Sequence, residues 1–212
     1  MEKIIAKELL KIKAVFLKPN DPFTWASGIK SPIYCDNRLT LSYVDTRRKV
    51  EDGLASLIKK YYPECEVVMG TSTAGIAHAA LVAEILGLPM GYVRGGHKDH
   101  GRGNQIEGVV PTNKKVVVVE DLISTGGSVL EVVDVLKEAG AEVLGIASIF
   151  TYNLEKGKKR LEEAKVINHS LSNFEALAEV AKEENYISEL DYKKVLKFRE
   201  NPSDSSWMDL TL

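Results

Sequence analysis

The chain is poor in the features that would tie it to an oxidising compartment, a membrane or a polyanion. Cysteine is scarce: Cys35 and Cys65 are the two present, and neither stands in a CxxC pair or near a histidine at metal-ligand spacing. A disulfide framework and a zinc site are therefore disfavoured, and reduced thiols are expected. Charge of one sign is lacking too, since 28 basic and 30 acidic residues leave a formal net charge of -2. Bulk electrostatics thus predict neither a nucleic-acid nor an anionic-membrane partner. No stretch approaches the roughly 20 apolar residues that cross a bilayer, and Met1 to Phe16 carries charges where a signal peptide would be apolar. Together these absences predict a soluble, cytoplasmic protein that catches any anionic ligand by local chemistry.

What is there suffices for a full core: 212 residues, 44% of them hydrophobic, fit one main domain of ordinary size. Apolar residues at Ile4, Ile5, Leu9, Ile12, Phe16 and Leu17 predict a helix over Glu2 to Leu17, broken by Pro19 and Pro22. An irregular segment from Lys18 to Ser31 follows, then a short strand at Pro32 to Asp36 and a helix at Tyr43 to Lys60. From there strand and helix alternate through Glu66 to Met69, Ala74 to Leu86, Met90 to Arg94, Val116 to Val119, Ser128 to Ala139 and Glu142 to Phe150. Further helices are expected at Glu155 to Ala164, Asn173 to Glu183 and Ser188 to Phe198, with a last strand at Lys165 to Asn168 and a weakly ordered tail from Asn201. This alternation predicts an α/β fold with a mainly parallel sheet covered by helices. The β-branched run Val116 to Val119 suits a central strand buried on both faces, with the active site at its carboxyl end.

Val116 to Leu130 carries the most chemistry: the valine run, the acids Glu120 and Asp121, the apolar Leu122 and Ile123, then Ser124, Thr125, Gly126, Gly127 and Ser128 opening a helix. Glycines let the backbone approach a phosphate, and the helix N-terminus and hydroxyls supply donors. The two carboxylates would repel a phosphate but suit a pair of ribose hydroxyls or a magnesium ion carried by a polyphosphate. An ordinary strand-to-helix turn capped by Ser or Thr is the plainer reading, and adjacent acids at the end of a buried strand argue against it. A Walker A loop is excluded by the missing Gly-Lys-Ser or Gly-Lys-Thr, and Met69 to Ile76 has no Gly-x-Gly-x-x-Gly.

VVVVEDLISTGGS resembles the motif by which type I phosphoribosyltransferases bind phosphoribosyl pyrophosphate (PRPP). The resemblance implies that family's α/β fold, with the loop on the 5-phosphate and the acids on the ribose hydroxyls. FTWASGIKSPIYCDNR, Phe23 to Arg38, is similar to the base-site segment of the orotate phosphoribosyltransferases, and no such segment is known among relatives that use purines. GTSTAGI, Gly70 to Ile76, resembles the family's pyrophosphate loop, with hydroxyls at Thr71, Ser72 and Thr73, although taken alone it also reads as a capped strand-to-helix connection. YVRGGHKDHGRGNQIEG, Tyr92 to Gly108, resembles the family's flexible catalytic loop, in which Arg94, Lys98 and His100 close over pyrophosphate. Three potential cations on a glycine-rich hinge would make an anion-covering lid. His97 has no role by the resemblance and is expected to face solvent.

The resemblance implies one domain over residues 1–212: residues 1–40 and the C-terminal part forming a hood over the base, 41–170 the core, and 95–107 the mobile catalytic loop. It implies magnesium as cofactor, held mainly by PRPP near Glu120 and Asp121 with no direct protein ligand, and a homodimer whose catalytic loops are shared across subunits. Orotate would be met by Ser124, Lys30, Tyr34 and Cys35, and the product would be orotidine 5'-phosphate, on the route to pyrimidine nucleotides. Ala26, Ala74 and Gly95 stand where some relatives carry lysines, and Asn153 falls near an arginine that those relatives place beside the base. These departures match a bacterial subgroup marked by WASGxKSPIYCDNR, and they leave open which group holds the orotate carboxylate. A purine salvage transferase would share Val116 to Ser128 but lack the Phe23 to Arg38 segment. A PRPP-sensing regulator should add a helix-turn-helix and a basic face, and neither is legible.

Overall fold

A computed structural model describes residues 1–25, 27–95 and 105–211 of the chain. Helix α1 (Glu2–Lys11) buries Ile5, Ala6, Leu9 and Leu10. It ends at Lys11 and not at Leu17 as the apolar spacing predicts, because Lys13 takes a left-handed φ of 57° and the Ala14 amide bonds back to Leu9 O at 2.9 Å. Val15–Leu17 is then strand β1, with Val15 buried and Phe16 exposed. Phe16 and Leu17 satisfy both the helical and the alternating pattern, and pairing with a later strand decides between them.

Strands β2 (Phe23–Thr24) and β3 (Lys30–Ser31) form one short antiparallel pair, and β1 pairs antiparallel with β4 (Ile33–Cys35) in another. A 3-10 turn at Asn37–Ser42 leads into helix α2 (Val44–Tyr61). The core follows as β5 (Val67–Thr71), α3 (Ala74–Leu86), β6 (Met90–Val93), β7 (Ile106–Glu107), β8 (Lys115–Ile123), α4 (Gly127–Glu138), β9 (Glu142–Thr151), α5 (Glu155–Glu163), β10 (Asn168–Asn173), α6 (Phe174–Glu183) and α7 (Glu189–Glu200). The last strand thus lies later than the expected Lys165 to Asn168, on a polar segment whose place at the sheet edge is held by Ser148 Oγ, 2.6 Å from Ser170 Oγ and 2.9 Å from Asn168 Oδ1.

Six strands make the main sheet in the order β10-β9-β8-β5-β6-β7, parallel except for β7. Val116 to Val119 have no exposed surface at the centre of it. Helices α1, α2, α3 and α6 pack on one face, and α4 and α5 on the other. The chain leaves β5 through α3 toward one sheet edge and leaves β8 through α4 toward the other. A crevice opens between two adjacent strands whose connections diverge in this way, and ligands of open α/β sheets bind there.

The tail is ordered, contrary to expectation. A second 3-10 turn, Ser205–Asp209, buries Trp207 to 1% exposure against Phe198, with ring centroids 5.7 Å apart. Phe198 also meets Trp25 edge-on at 5.7 Å, and Trp25 stacks on Tyr152 at 6.0 Å. The N-terminal strands and the C-terminus therefore pack on one another through an aromatic cluster. No helix among the described residues is long and apolar enough to cross a membrane.

Candidate active site

The crevice at the switch point has a volume of about 350 Å³ and is lined by Ser72, Thr73 and Ala74 from the β5–α3 connection and by Glu120 to Leu122 and Ser124 to Val129 from the end of β8 and the start of α4. Strand β8 runs past the valines through both acids, with Glu120 paired to Ser148 of β9 and Leu122 to Phe150. The acids thus project from a strand locked into the sheet. After Ile123 the chain needs a sharp reversal into α4, and Gly126 provides it with a φ of +74°, a conformation L side chains rarely adopt. The N-terminus of α4 then opens onto the crevice, with its unpaired amides and positive dipole end available to an anion.

Behind that loop stands a support absent from the sequence expectations. Gly157 of α5 lies so close that an added Cβ would sit 2.7 Å from Ser124 O, and Arg160, one turn on, donates from Nη1 to Thr125 O at 3.3 Å. The cation takes up a loop carbonyl from the rear, leaving the loop's amides for the crevice side.

Glu120 is 6% exposed, and its Oε1 accepts from Thr71 Oγ1 at 2.7 Å and from the Asp121 amide at 2.9 Å. Burial, and next the hydrogen-bonded carboxyl of Asp121, push its pKa up to about 8. An acid pair in this state favours a neutral diol, or a cation that displaces the proton. No cluster of three or more His, Cys, Asp or Glu that could cage a metal occurs among the described residues. The donors present fit a magnesium ion whose other ligands come from a polyphosphate.

The residues of the Gly70 to Ile76 connection divide. Ser72 and Thr73 line the crevice, joined by a cis peptide. Thr71 is turned inward with its hydroxyl on Glu120, so it holds an acid and is not among the residues lining the crevice. Likewise Leu122 lines the crevice, whereas Ile123 is buried against the α4 side of the sheet. Arg94, at the end of β6, points its Nε at Glu107 Oε1, 3.2 Å away, and Gly95 donates its amide to Ser72 Oγ at 2.7 Å. The loop expected over 95–107 is shorter than that, since Ile106 and Glu107 pair with Val93 and Tyr92 as β7. Lys98, His100 and His97 lie outside the described residues.

On the short N-terminal strands Lys30 is exposed, with Nζ on Thr24 Oγ1 at 2.7 Å. Tyr34 is 44% exposed and packs on Phe23 at 5.4 Å. Burial, then the carboxylates of Asp121 and Asp36, hold the Cys35 thiol well above its ordinary pKa and therefore neutral. Those interactions bring β4 and the acid pair near one another. Asn153 is turned away from the crevice and donates to Glu175 Oε2 at 3.0 Å.

Residues 42–184 match the phosphoribosyl transferase domain family, and the chain belongs to that family. It is 59% identical to the orotate phosphoribosyltransferase of Bacillus cereus (strain G9842) over 98% of this chain and 99% of that one. The fold matches the orotate phosphoribosyltransferase of Aeropyrum pernix with a TM-score of 0.75 at 29% identity, over 87% of this chain and 99% of that one. It also matches the UMP synthase of Leishmania donovani with a TM-score of 0.78 at 25% identity, over 92% of this chain and 41% of that one. Within the phosphoribosyltransferases, the chain belongs with the orotate phosphoribosyltransferases.

Proposed function

We propose that the crevice transfers ribose 5-phosphate from PRPP to orotate, giving orotidine 5'-phosphate and pyrophosphate, the pentosyl transfer for which its relatives are named. The observation that carries this reading is that one crevice gathers three kinds of group: a hydroxyl-bearing loop at Ser72 and Thr73, the acid pair Glu120 and Asp121, and the glycine loop with the α4 N-terminus. PRPP carries a pyrophosphate, a ribose diol and a 5-phosphate, one partner for each.

In this arrangement the 5-phosphate lies on Thr125 to Ser128, the ribose hydroxyls on Glu120 and Asp121, and the pyrophosphate beside Ser72 and Thr73 with Arg94, Lys98 and His100 as its cations. When bound with PRPP, magnesium supplies charge neutralisation to the pyrophosphate oxygens. As the bond from C1 to pyrophosphate lengthens, positive charge grows on the ribose and negative charge on the leaving group, and the lid cations stabilise that separation. Orotate is already an anion at neutral pH. Its N1 forms the new bond to C1 as the bond from C1 to pyrophosphate breaks, and the N1 proton passes to solvent or to the departing pyrophosphate without need of a strong base, so positioning and charge carry the rate. Ser124, Lys30, Tyr34 and Cys35 face the base.

The reading extends to a cytoplasmic homodimer that shares its catalytic loops. Support comes from the family resemblance of Tyr92 to Gly108 and from α3, which leaves Leu81 and Ile85 37% and 42% exposed, one turn apart. The test is to mix the protein with PRPP, magnesium and either orotate or a panel of purines, following base absorbance and pyrophosphate release. Turnover with orotate alone is expected, and Lys98→Ala should slow it at least a hundredfold without lowering the melting temperature. Turnover with a purine, or PRPP binding without turnover, would replace this reading with salvage or sensing respectively.

A further inference from the structure

Asn37 opens the 3-10 turn after β4, and its side chain has no exposed surface. Its Nδ2 donates to Asp121 O at 2.7 Å, across 84 positions of sequence, and its Oδ1 accepts from Cys35 Sγ at 3.2 Å. Its own carbonyl accepts from the buried Thr40 hydroxyl at 2.6 Å. The neighbours Asp36 and Arg38 pair with each other, Arg38 Nε donating to Asp36 Oδ1 at 2.6 Å.

The need for this amide follows from the sheet. Pairing of β8 with β5 ends at Val119 opposite Gly70. Beyond that point Asp121 has no strand for its main chain on the β5 side, and both of its peptide groups are taken by side chains: the N–H by Glu120 Oε1 and the carbonyl by Asn37 Nδ2. A partly buried peptide carbonyl without a donor is costly, so Asn37 stands in for the missing strand. With its other end it takes the thiol of Cys35, at the floor of the base side.

We infer that Asn37 is a positioning residue that fixes the Asp121 peptide, and with it the aim of the acid pair at the ribose, while setting Cys35 on the base side. The inference rests on the reading of Glu120 and Asp121 as the ribose site. Asn37→Asp is nearly isosteric and keeps an acceptor for Cys35, but an ionised carboxylate cannot donate to Asp121 O. Cys35→Ala keeps the Asn37 donor and removes only the thiol.

The experiment measures binding of magnesium-PRPP by titration calorimetry without base, and orotate KM and kcat by turnover, on the native protein, Asn37→Asp, Asn37→Ala and Cys35→Ala. Loss of the donor should weaken PRPP binding and lower kcat by about tenfold or more, in Asn37→Asp as in Asn37→Ala. Cys35→Ala should raise orotate KM with PRPP binding close to native. If Asn37→Ala fails to fold, the isosteric Asp variant carries the test. PRPP binding and kcat at native values in a folded Asn37→Asp would overturn the inference, as would equal losses for both substrates in Cys35→Ala. A native protein that binds PRPP without using orotate would sink the transferase reading while leaving the binding comparison decisive, and one that does not bind PRPP would sink both.

Discussion

Strand β8 delivers Glu120 and Asp121 from four valines with no exposure, and the glycine loop follows it directly. Lys30, Tyr34 and Cys35, the side chains proposed for the base, sit on strands of two or three residues. The first half takes its geometry from the sheet. The second takes it from contacts far off in sequence: Trp25 on Tyr152 and Phe198, Asn37 on Asp121, and Asn20 on Asp191, 171 positions away. Short strand pairs are not stable alone, so perturbing a remote support should loosen the base half and spare the phosphate half.

The largest effect expected of this kind comes from Trp207→Ala. The indole is 1% exposed and its Nε1 has no hydrogen-bond partner among the described residues, so its contribution is apolar packing. Removing it should lower stability by about 3–5 kcal/mol, read as a fall in melting temperature, and Trp207→Phe should lose much less. Phe198 contacts both Trp207 and Trp25, so orotate KM should rise more than PRPP KM. A rise in PRPP KM alone would show that the tail supports the other half.

The reciprocal change is Gly157→Ala. A Cβ placed 2.7 Å from Ser124 O must push the loop or α5 aside, at a cost on the order of 1–3 kcal/mol. Here PRPP KM should rise about tenfold or more with a smaller effect on orotate. An unchanged PRPP KM would mean that the loop holds its shape without α5.

Glu120→Gln tests the raised pKa of Glu120. Its pKa is pushed up to about 8 in the folded protein against an ordinary value of 4.5. The folded state thus binds a proton that the unfolded chain releases, so the contribution of Glu120 to stability is full below 4.5 and fades as pH rises through about 8. The native melting temperature should fall over that range more than that of Glu120→Gln. At neutral pH, magnesium-PRPP binding should expel up to about one proton from the native pair and close to none from the variant. Calorimetry in buffers of different ionisation enthalpy measures this, and equal proton release by both proteins would sink the assignment.

The same division explains what could be read from the sequence. The valine run, the adjacent acids and the glycine turn are local signals whose meaning does not depend on distant partners, and α3 falls at Ala74–Leu86 as its pattern predicts. The failures lie where distant contacts decide. Val15–Leu17 becomes a strand because β4 offers pairing, and Trp207 orders the tail because Phe198 is there to receive it. Thr71 faces Glu120 and not the crevice, a choice made by strand alternation and packing that a hydroxyl-rich motif hides. Asn37 stood inside the CDNR motif, and Arg160 inside a charged helix face, but nothing local marks which asparagine or arginine supports a loop carbonyl.

The smallest effect bears on the group that holds the orotate carboxylate. Lys30 is exposed, and its Nζ rests on Thr24 Oγ1 at 2.7 Å within the β2–β3 pair. An exposed ammonium contributes at most about 1 kcal/mol to an ion pair, so Lys30→Ala should raise orotate KM by about fivefold or less, leave PRPP KM at its native value, and lose sensitivity to added salt. A larger rise would mean that the hood closes over Lys30 and desolvates it when orotate binds, making the base half as charge-dependent as the pyrophosphate side. No rise at all would hand the carboxylate to backbone amides and the Ser124 hydroxyl, and both halves of the crevice would then bind their anions by the same means.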